Sequence, residues 1–170
     1  RDPIVSRGLG DVYKRQEYLR AAGYYCTNNA KEDYNFKIPE TAWDESNQNA
    51  NWKNRKDDSP FFAVFNNHHM HESGIWKQTN NDILVDKSKI KIPPYFPDTE
   101  TVRHDLAVNF SNLIRADSTT AEIIKELKDA GEYDNTYIFF YSDHGGPFPR
   151  HKRAIYDTGT KVPFIIKPPK

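Results

Sequence analysis

The chain has 170 residues, enough for one domain or a large piece of one. Its 24 basic and 24 acidic side chains balance, so no global field draws it to nucleic acid or to an anionic membrane. Apolar residues make up only 36% and aromatics 14%, with ten Tyr and ten Phe, which implies a thin, ring-rich core and long polar connections. No apolar run approaches the roughly 20 residues that span a bilayer, and no charged-then-apolar leader opens the chain, so any export signal of the parent protein is expected outside these residues. Cys26 stands alone, which excludes an internal disulfide and a cysteine-rich zinc motif and leaves a passive thiol as the expectation.

Residues 1–16, RDPIVSRGLGDVYKRQ, show no sustained period and resemble adapter sequence left by cloning; a surface loop is the alternative. From Glu17, EYLRAAG reads as the last turns of a helix stopped by Gly23, and Tyr24 to Thr27 as a short strand. Residues 28–58 are rich in Asn, Lys and Asp and carry Trp43 and Trp52, which suggests an irregular, ordered excursion. Phe61-Phe62-Ala63-Val64-Phe65 does not alternate and fits a strand buried on both faces. The cluster His68-His69-Met70-His71-Glu72 follows it, then a Lys- and Pro-rich connection. Val102, Leu106, Phe110, Leu113 and Ile114 recur on one helical face, and Ser118 can cap a second helix with Ile123, Ile124 and Leu127 inward, closed by Gly131.

After a turn at Asp134-Asn135, TYIFFY is a second buried strand, with Ser142-Asp143-His144-Gly145-Gly146 at its end. Val162 to Ile166 is a third. Strand–helix–strand order with apolar strands predicts an α/β fold with a largely parallel central sheet covered by helices, the Phe61 and Tyr137 runs lying near each other in one sheet. Ligands in such sheets gather beyond the carboxyl ends of strands, where Asp143 and the histidine cluster both stand. An adjacent Asp and His at such an end can face one ion: the carboxylate suits calcium, magnesium or manganese, and the imidazole favours zinc or manganese. By itself the pair is more often structural. His68, His69 and His71 could alternatively make a small zinc site, and Lys152, among Arg150, His151 and Arg153, belongs to a basic cluster that either meets an anion or is simply solvated. Asn109-Phe110-Ser111 fits a glycosylation pattern but falls inside the helical stretch.

The segment from Thr136 to Pro168 resembles the carboxyl-terminal metal segment of the sulfatase family: a buried strand ending in Ser142-Asp143-His144-Gly145, a basic residue at Lys152, then Gly159-Thr160-Lys161-Val162-Pro163 leading into another strand. The Gly-Pro-Phe-Pro spacing is similar to the branch that includes heparan N-sulfatase, and the likeness extends from Glu17 onward. The resemblance implies part of an alkaline-phosphatase-like sandwich over residues 17–170. Asp143 and His144 then match two metal ligands, calcium being the family's ion, and Lys152 matches a residue that contacts the sulfate. Lys31 matches the lysine of a Gly-Lys-Trp-His segment whose histidine is replaced here by Asp33, and His71 falls where the family places a histidine able to protonate a leaving group. The implied reaction is hydrolysis of a sulfate ester or sulfamate on a carbohydrate, in a periplasmic, secreted or lysosome-like compartment. The alternatives are a phosphoryl hydrolase of the same superfamily and a non-catalytic glycan- or anion-binding relic.

Two family elements have no counterpart. The nucleophile is a formylglycine made from the Cys of Cys-x-Pro/Ala-x-Arg, whereas Cys26 precedes Thr-Asn-Asn-Ala. Paired aspartates from the family's first strand are also missing. The expectation is a fragment that lacks the nucleophile segment, without turnover and with weak metal affinity when taken alone.

Overall fold

The computed structural model describes residues 15–32, 38–77 and 82–170. The expectation for residues 1–16 lies outside the described residues except at Arg15 and Gln16, which open a helix expected to begin at Glu17; that for Asp33 lies outside them too. The chain divides into two compact units, Arg1–Asn66 and Asn67–Lys170.

In the first unit a helix, α1, runs over 15–21 and ends on Gly23 at φ +87°, a backbone conformation that costs glycine little. Gly23 N–H donates to Arg20 O and Tyr24 N–H to Leu19 O, so the last carbonyls are capped in the Schellman manner. Three parallel strands follow, β1 (Tyr25–Asn29), β2 (Glu45–Ser46) and β3 (Phe61–Phe65), with β1 in the middle. The register pairs Tyr25 with Phe61 and Asn29 with Phe65, so β1 and β3 finish side by side. Asn66 fastens that edge, its backbone N–H donating to Asn29 O at 2.7 Å and its amide to Asn28 Oδ1 at 3.0 Å. Neighbouring residues of a strand face opposite ways. Trp52 therefore stacks on Phe61 (centroids 5.0 Å apart) and Trp43 on Phe62 (6.2 Å), covering β3 from both sides. The two tryptophans order the excursion between β1 and β3, as expected, and Arg15 of α1 also lies over the Phe62 ring, 5.0 Å from its centroid.

The second unit is organised by α3 (Glu100–Asp129). Thr99 caps its start by accepting from Val102 N–H, and Arg103 forks onto Asp98 with two 2.7 Å bonds while donating to the Lys87 and Ile90 carbonyls. At the far end Gly131, at φ +75°, repeats the Schellman cap, Glu132 N–H reaching Leu127 O. A short helix, α2 (Ser73–Trp76), and the turn His68–Met70 pack on α3. The chain ends in β4 (Ile138–Tyr141), the short helix α4 (Asp157–Thr160) and β5 (Phe164–Lys167). The fold class is α/β, and no helix among the described residues is long and apolar enough to cross a membrane.

Three expectations need correction. Residues 100–129 form one helix, not two: the Ser118 hydroxyl donates back to Ile114 O and Thr120 to Ala116 O, so these side chains bond within the helix instead of opening a new one. Its buried face differs in part, although Leu106 and Leu127 point inward as expected. Leu106 is buried together with Ala107, Ser111, Asn112 and Ala116, whereas Phe110, Leu113 and Ile114 are 40–48% exposed. Small residues win that face because α2 approaches closely: a Cβ on Gly74 would stand 3.0 Å from the Asn112 amide nitrogen.

The third correction concerns β4 and β5, which pair antiparallel in a sheet of their own, apart from β3, from Ile138 opposite Lys167 to Tyr141 opposite Phe164. Their connection doubles back on itself, Gly145 N–H donating to Gly159 O at 2.9 Å, and that delivers the second strand beside the first in reverse. Far from being buried on both faces, Phe139 is 54% and Ile165 60% exposed.

Cys26 lies in the middle strand with no exposed surface, and burial, aided by the Asp44 carboxylate against the opposing Arg20, pushes its thiol up to about 11. A protonated, enclosed sulfur is a poor nucleophile. Native protein at pH 8 should resist iodoacetamide over a time in which guanidinium-unfolded protein is fully alkylated; fast native labelling would contradict this packing.

Candidate functional site

Asp143 and His144 follow β4 directly, in a loop that turns away from the strand axis. Ser142 donates its hydroxyl to His144 O at 2.6 Å, which tightens the bend. The His144 Nδ1 lies 2.8 Å from the carbonyl oxygen of Gly145. A carbonyl can only accept, so Nδ1 carries a proton, and in the neutral ring Nε2 holds the lone pair. That Nε2 stands 3.5 Å from Asp143 Oδ2, with both side chains partly open to solvent. Two electron-pair donors facing each other at this distance repel unless a proton or a cation is shared between them. A backbone acceptor on the remote ring nitrogen is also the usual support of a metal-binding imidazole. The pair therefore fits half of a divalent-metal site. Among the described residues no group of three or more His, Cys, Asp and Glu side chains converges as a metal cluster, so the zinc reading of His68, His69 and His71 gains no support. His69 is instead taken up by Thr119, its Nε2 3.3 Å from Oγ1.

Two backbone bonds join the Asp143–His144 bend to the basic loop. One is Gly145 N–H to Gly159 O; the other is Lys152 N–H to Gly146 O at 3.1 Å. At the first, a Cβ on Gly145 would fall 1.8 Å from Thr158 O; a Cβ on Gly159 would meet the preceding loop instead, 2.0 Å from Ala154 O. The Gly145 and Gly159 of the sequence pattern are thus explained by contact.

Lys152 is not a merely solvated lysine. Its ammonium is 3.1 Å from Glu72 Oε1, and the Glu72 side chain is only 7% exposed. Arg153 grips the same carboxylate with both guanidinium arms, at 2.7 and 2.6 Å. Arg153 adopts φ +70°, a conformation that costs a non-glycine residue about 1–3 kcal/mol, and this fork helps to hold it there. The Arg153 hydrogen bonds, then those of Lys152, hold the Glu72 carboxyl down to about 2 against the opposing effect of burial. Two cations on one anion leave the cluster with a surplus positive charge.

His71 precedes Glu72. Its Nδ1 accepts from the Ser73 backbone N–H at 3.3 Å and lies 2.8 Å from Ser73 Oγ, so the proton of the neutral ring sits on Nε2 at the exposed edge. Asn67 positions this turn by donating its amide to Ala116 O of α3 at 3.0 Å. The structure therefore links Asp143, His144, Lys152 and the His71 turn through one set of bonds inside the second unit. Lys31 belongs to the first unit, just beyond the carboxyl end of β1, where its carbonyl accepts from the Asn28 amide at 3.1 Å. Sequence reasoning passed over Glu72. A lone acid 80 positions from its basic partner gives no local signal, although a carboxylate beside three histidines after a buried strand is a hint.

Residues 6–170 match the sulfatase family. The chain belongs to that family. It is 44% identical over 194 aligned positions to an ulvan-active sulfatase of Formosa agariphila, covering 94% of this chain and 33% of that protein. It is 33% identical over 85 residues to human N-sulphoglucosamine sulphohydrolase, covering 50% of this chain and 17% of that protein. With human N-acetylglucosamine-6-sulfatase it shares 37% over 65 residues, 35% of this chain and 12% of that protein. This sulfatase-family chain thus spans about a third or less of the length of these relatives.

Two outcomes follow from the geometry of the loop. Gly145→Ala and Gly159→Ala should each destabilise the protein by about 3 kcal/mol or more, because the added methyl meets backbone that cannot move aside. Gly146→Ala, whose Cβ meets only the His151 ring at 3.2 Å, should cost much less in a urea titration. The second concerns acid. A carboxyl lowered in the folded state stabilises it fully above its unfolded value near 4.5 and loses that contribution as pH falls toward 2. Stability of the native protein should therefore drop through that window more steeply than that of Glu72→Gln, and parallel pH profiles would show that Glu72 is not clamped as described.

Proposed function

We propose that this chain is part of a metal-dependent sulfatase that hydrolyses sulfate esters or sulfamates on a carbohydrate. The observation that carries the reading is the Asp143–His144 pair, with a tautomer that turns the free imidazole lone pair toward the carboxylate, in a chain matched to the sulfatase family over 6–170. The relatives' names, which specify ulvan, N-sulphoglucosamine and N-acetylglucosamine-6-sulfate chemistry, favour sulfuryl over phosphoryl transfer and a sulfated glycan as substrate.

Asp143 and His144 would supply two ligands to a divalent cation, calcium by the family's habit, and such an ion polarises the sulfate oxygens and offsets their charge. Lys152, whose ammonium spends one contact on Glu72, keeps further donors for a sulfate oxygen. His71 turns Nε2 to its exposed edge, and as an imidazolium, its Nδ1–H given to Ser73 Oγ, it could deliver the Nε2 proton to the departing oxygen or nitrogen and be left as the neutral ring. Lys31 is assigned a role in holding the sulfate or the leaving group, on its match to the family's lysine. Cys26 is excluded as the sulfuryl acceptor by its burial and raised pKa, so we assign the nucleophile to a formylglycine outside these 170 residues.

The test uses the 170-residue chain. Calcium and manganese titrations followed by calorimetry should show weak binding, well above micromolar, that Asp143→Ala and His144→Ala remove. A chromogenic aryl sulfate and a sulfated glucosamine should not be turned over. Metal binding unchanged in Asp143→Ala would overturn the metal assignment. Turnover lost in Asp143→Ala would show instead that the nucleophile lies within this chain.

A further inference from the structure

Arg150 is the second non-glycine residue of the loop in the left-handed region, at φ +70°. Unlike Arg153, its side chain meets no carboxylate among the described residues. Its guanidinium lies over the rings of Tyr95 (5.1 Å) and Tyr156 (4.5 Å). Tyr95 is itself fixed, its hydroxyl 3.1 Å from His151 Nε2. Its N–H groups meet no hydrogen-bond acceptor among the described residues, and the planar N–H edge of a guanidinium is the part that binds a carboxylate or sulfate with two parallel hydrogen bonds. Arg150, Tyr95 and Tyr156, with Ile155, Asp157 and Thr158, line an open, shallow pocket at the surface, broad enough for one sugar unit to lie against.

The pocket lies next to the metal pair. Its wall residue Thr158 puts its carbonyl against Gly145, the residue after His144, and Thr158 also donates its hydroxyl to Arg150 O at 2.5 Å. Ile155, 95% exposed, and the tyrosines offer apolar surface for the C–H face of a sugar, and the Asp157 carboxylate can accept from hydroxyls. A cation with a free edge, aromatic walls and a hydroxyl acceptor make up the chemistry of an acidic saccharide.

We infer that this pocket is a subsite for an anionic sugar unit, whose carboxylate or sulfate is held by Arg150, adjoining the unit presented to Asp143 and His144. The inference rests on the carbohydrate reading above and adds to it which neighbouring unit is recognised. The strained backbone of Arg150 fits a residue kept for binding rather than for folding.

The test is equilibrium binding to the 170-residue chain in chelator, which silences any metal contribution. The probes are cellobiose, its C6-carboxylate form, its 6-sulfate form and inorganic sulfate. At least one charged disaccharide should bind about tenfold or more tighter than cellobiose and than inorganic sulfate, and whichever form wins identifies the anion. Arg150→Gly relieves the positive φ and so should fold at least as well as the parent by thermal melting, yet it should erase the preference for charge. Asp143→Ala should leave the preference intact. Equal binding of cellobiose, inorganic sulfate matching the disaccharides, or an unchanged preference in Arg150→Gly would each overturn the subsite. Failure of the hydrolytic reading would appear elsewhere, in metal binding or turnover, so the two cannot be confused.

Discussion

The approach of Gly145 to Gly159 is the contact on which the rest of the second unit's chemistry depends. Gly145 lies so close to the Thr158–Gly159 backbone that it tolerates no methyl group, Gly159 is hemmed in from its other side by the Ala154 and His151 carbonyls, and the Gly145 N–H to Gly159 O bond closes the loop between β4 and β5. Closure has two results at once. It turns the chain so that β5 returns antiparallel beside β4. It also lays the segment 150–158 against the Asp143–His144 bend, where Lys152 N–H can reach Gly146 O. Without it the carboxylate–imidazole pair and the basic residues would sit on a long connection with no reason to meet.

Glu72 supplies the second tie. A carboxylate this enclosed has lost its water and needs full compensation. Arg153 gives it a fork and Lys152 a third contact. The arrangement carries the turn after β3, docked on α3 through Asn67, to the loop after β4. Charge arithmetic makes this more than a brace. Arg153 occupies both carboxylate oxygens, while Lys152 shares one that is already satisfied, so of the two cations Lys152 is the one whose ammonium can turn to an incoming anion without stranding Glu72.

How much of this was legible in the sequence can be judged element by element. Gly23 and Gly131 announce helix ends because only a residue without a Cβ takes a positive φ cheaply, and both do so here. The apolar run at Phe61–Phe65 and the two tryptophans before it declare a covered strand, and rings stack on both of its faces. Where the reading failed, a long-range contact had outweighed a local pattern. TYIFFY looks like a strand sealed on both sides, yet pairing with β5 leaves its rings exposed, because hydrophobicity reports what a segment could bury and not which partner it finds. The helix face chosen by size, with Phe110 and Leu113 inward, lost to a face of Ala, Ser and Asn that lets Gly74 come close. Asp143, His144 and Lys152 were visible as a family pattern, but no pattern could show that Glu72 would be their neighbour.

Arg150 and Arg153 show how one loop can assign opposite tasks to the same side chain. Both have φ +70°, three residues apart. The two guanidinium groups nevertheless meet different surroundings. Arg153 finds the buried Glu72, and its hydrogen-bonding edge is consumed by a carboxylate. Arg150 lies over two rings, and its N–H edge meets no carboxylate among the described residues. Stacking also limits the rotamers available to the side chain, so less freedom remains to be lost when an anion arrives. Between them lies Lys152, half committed to Glu72. The loop thus grades its cations from structural to available within four residues, and the available end is the one that lines the pocket.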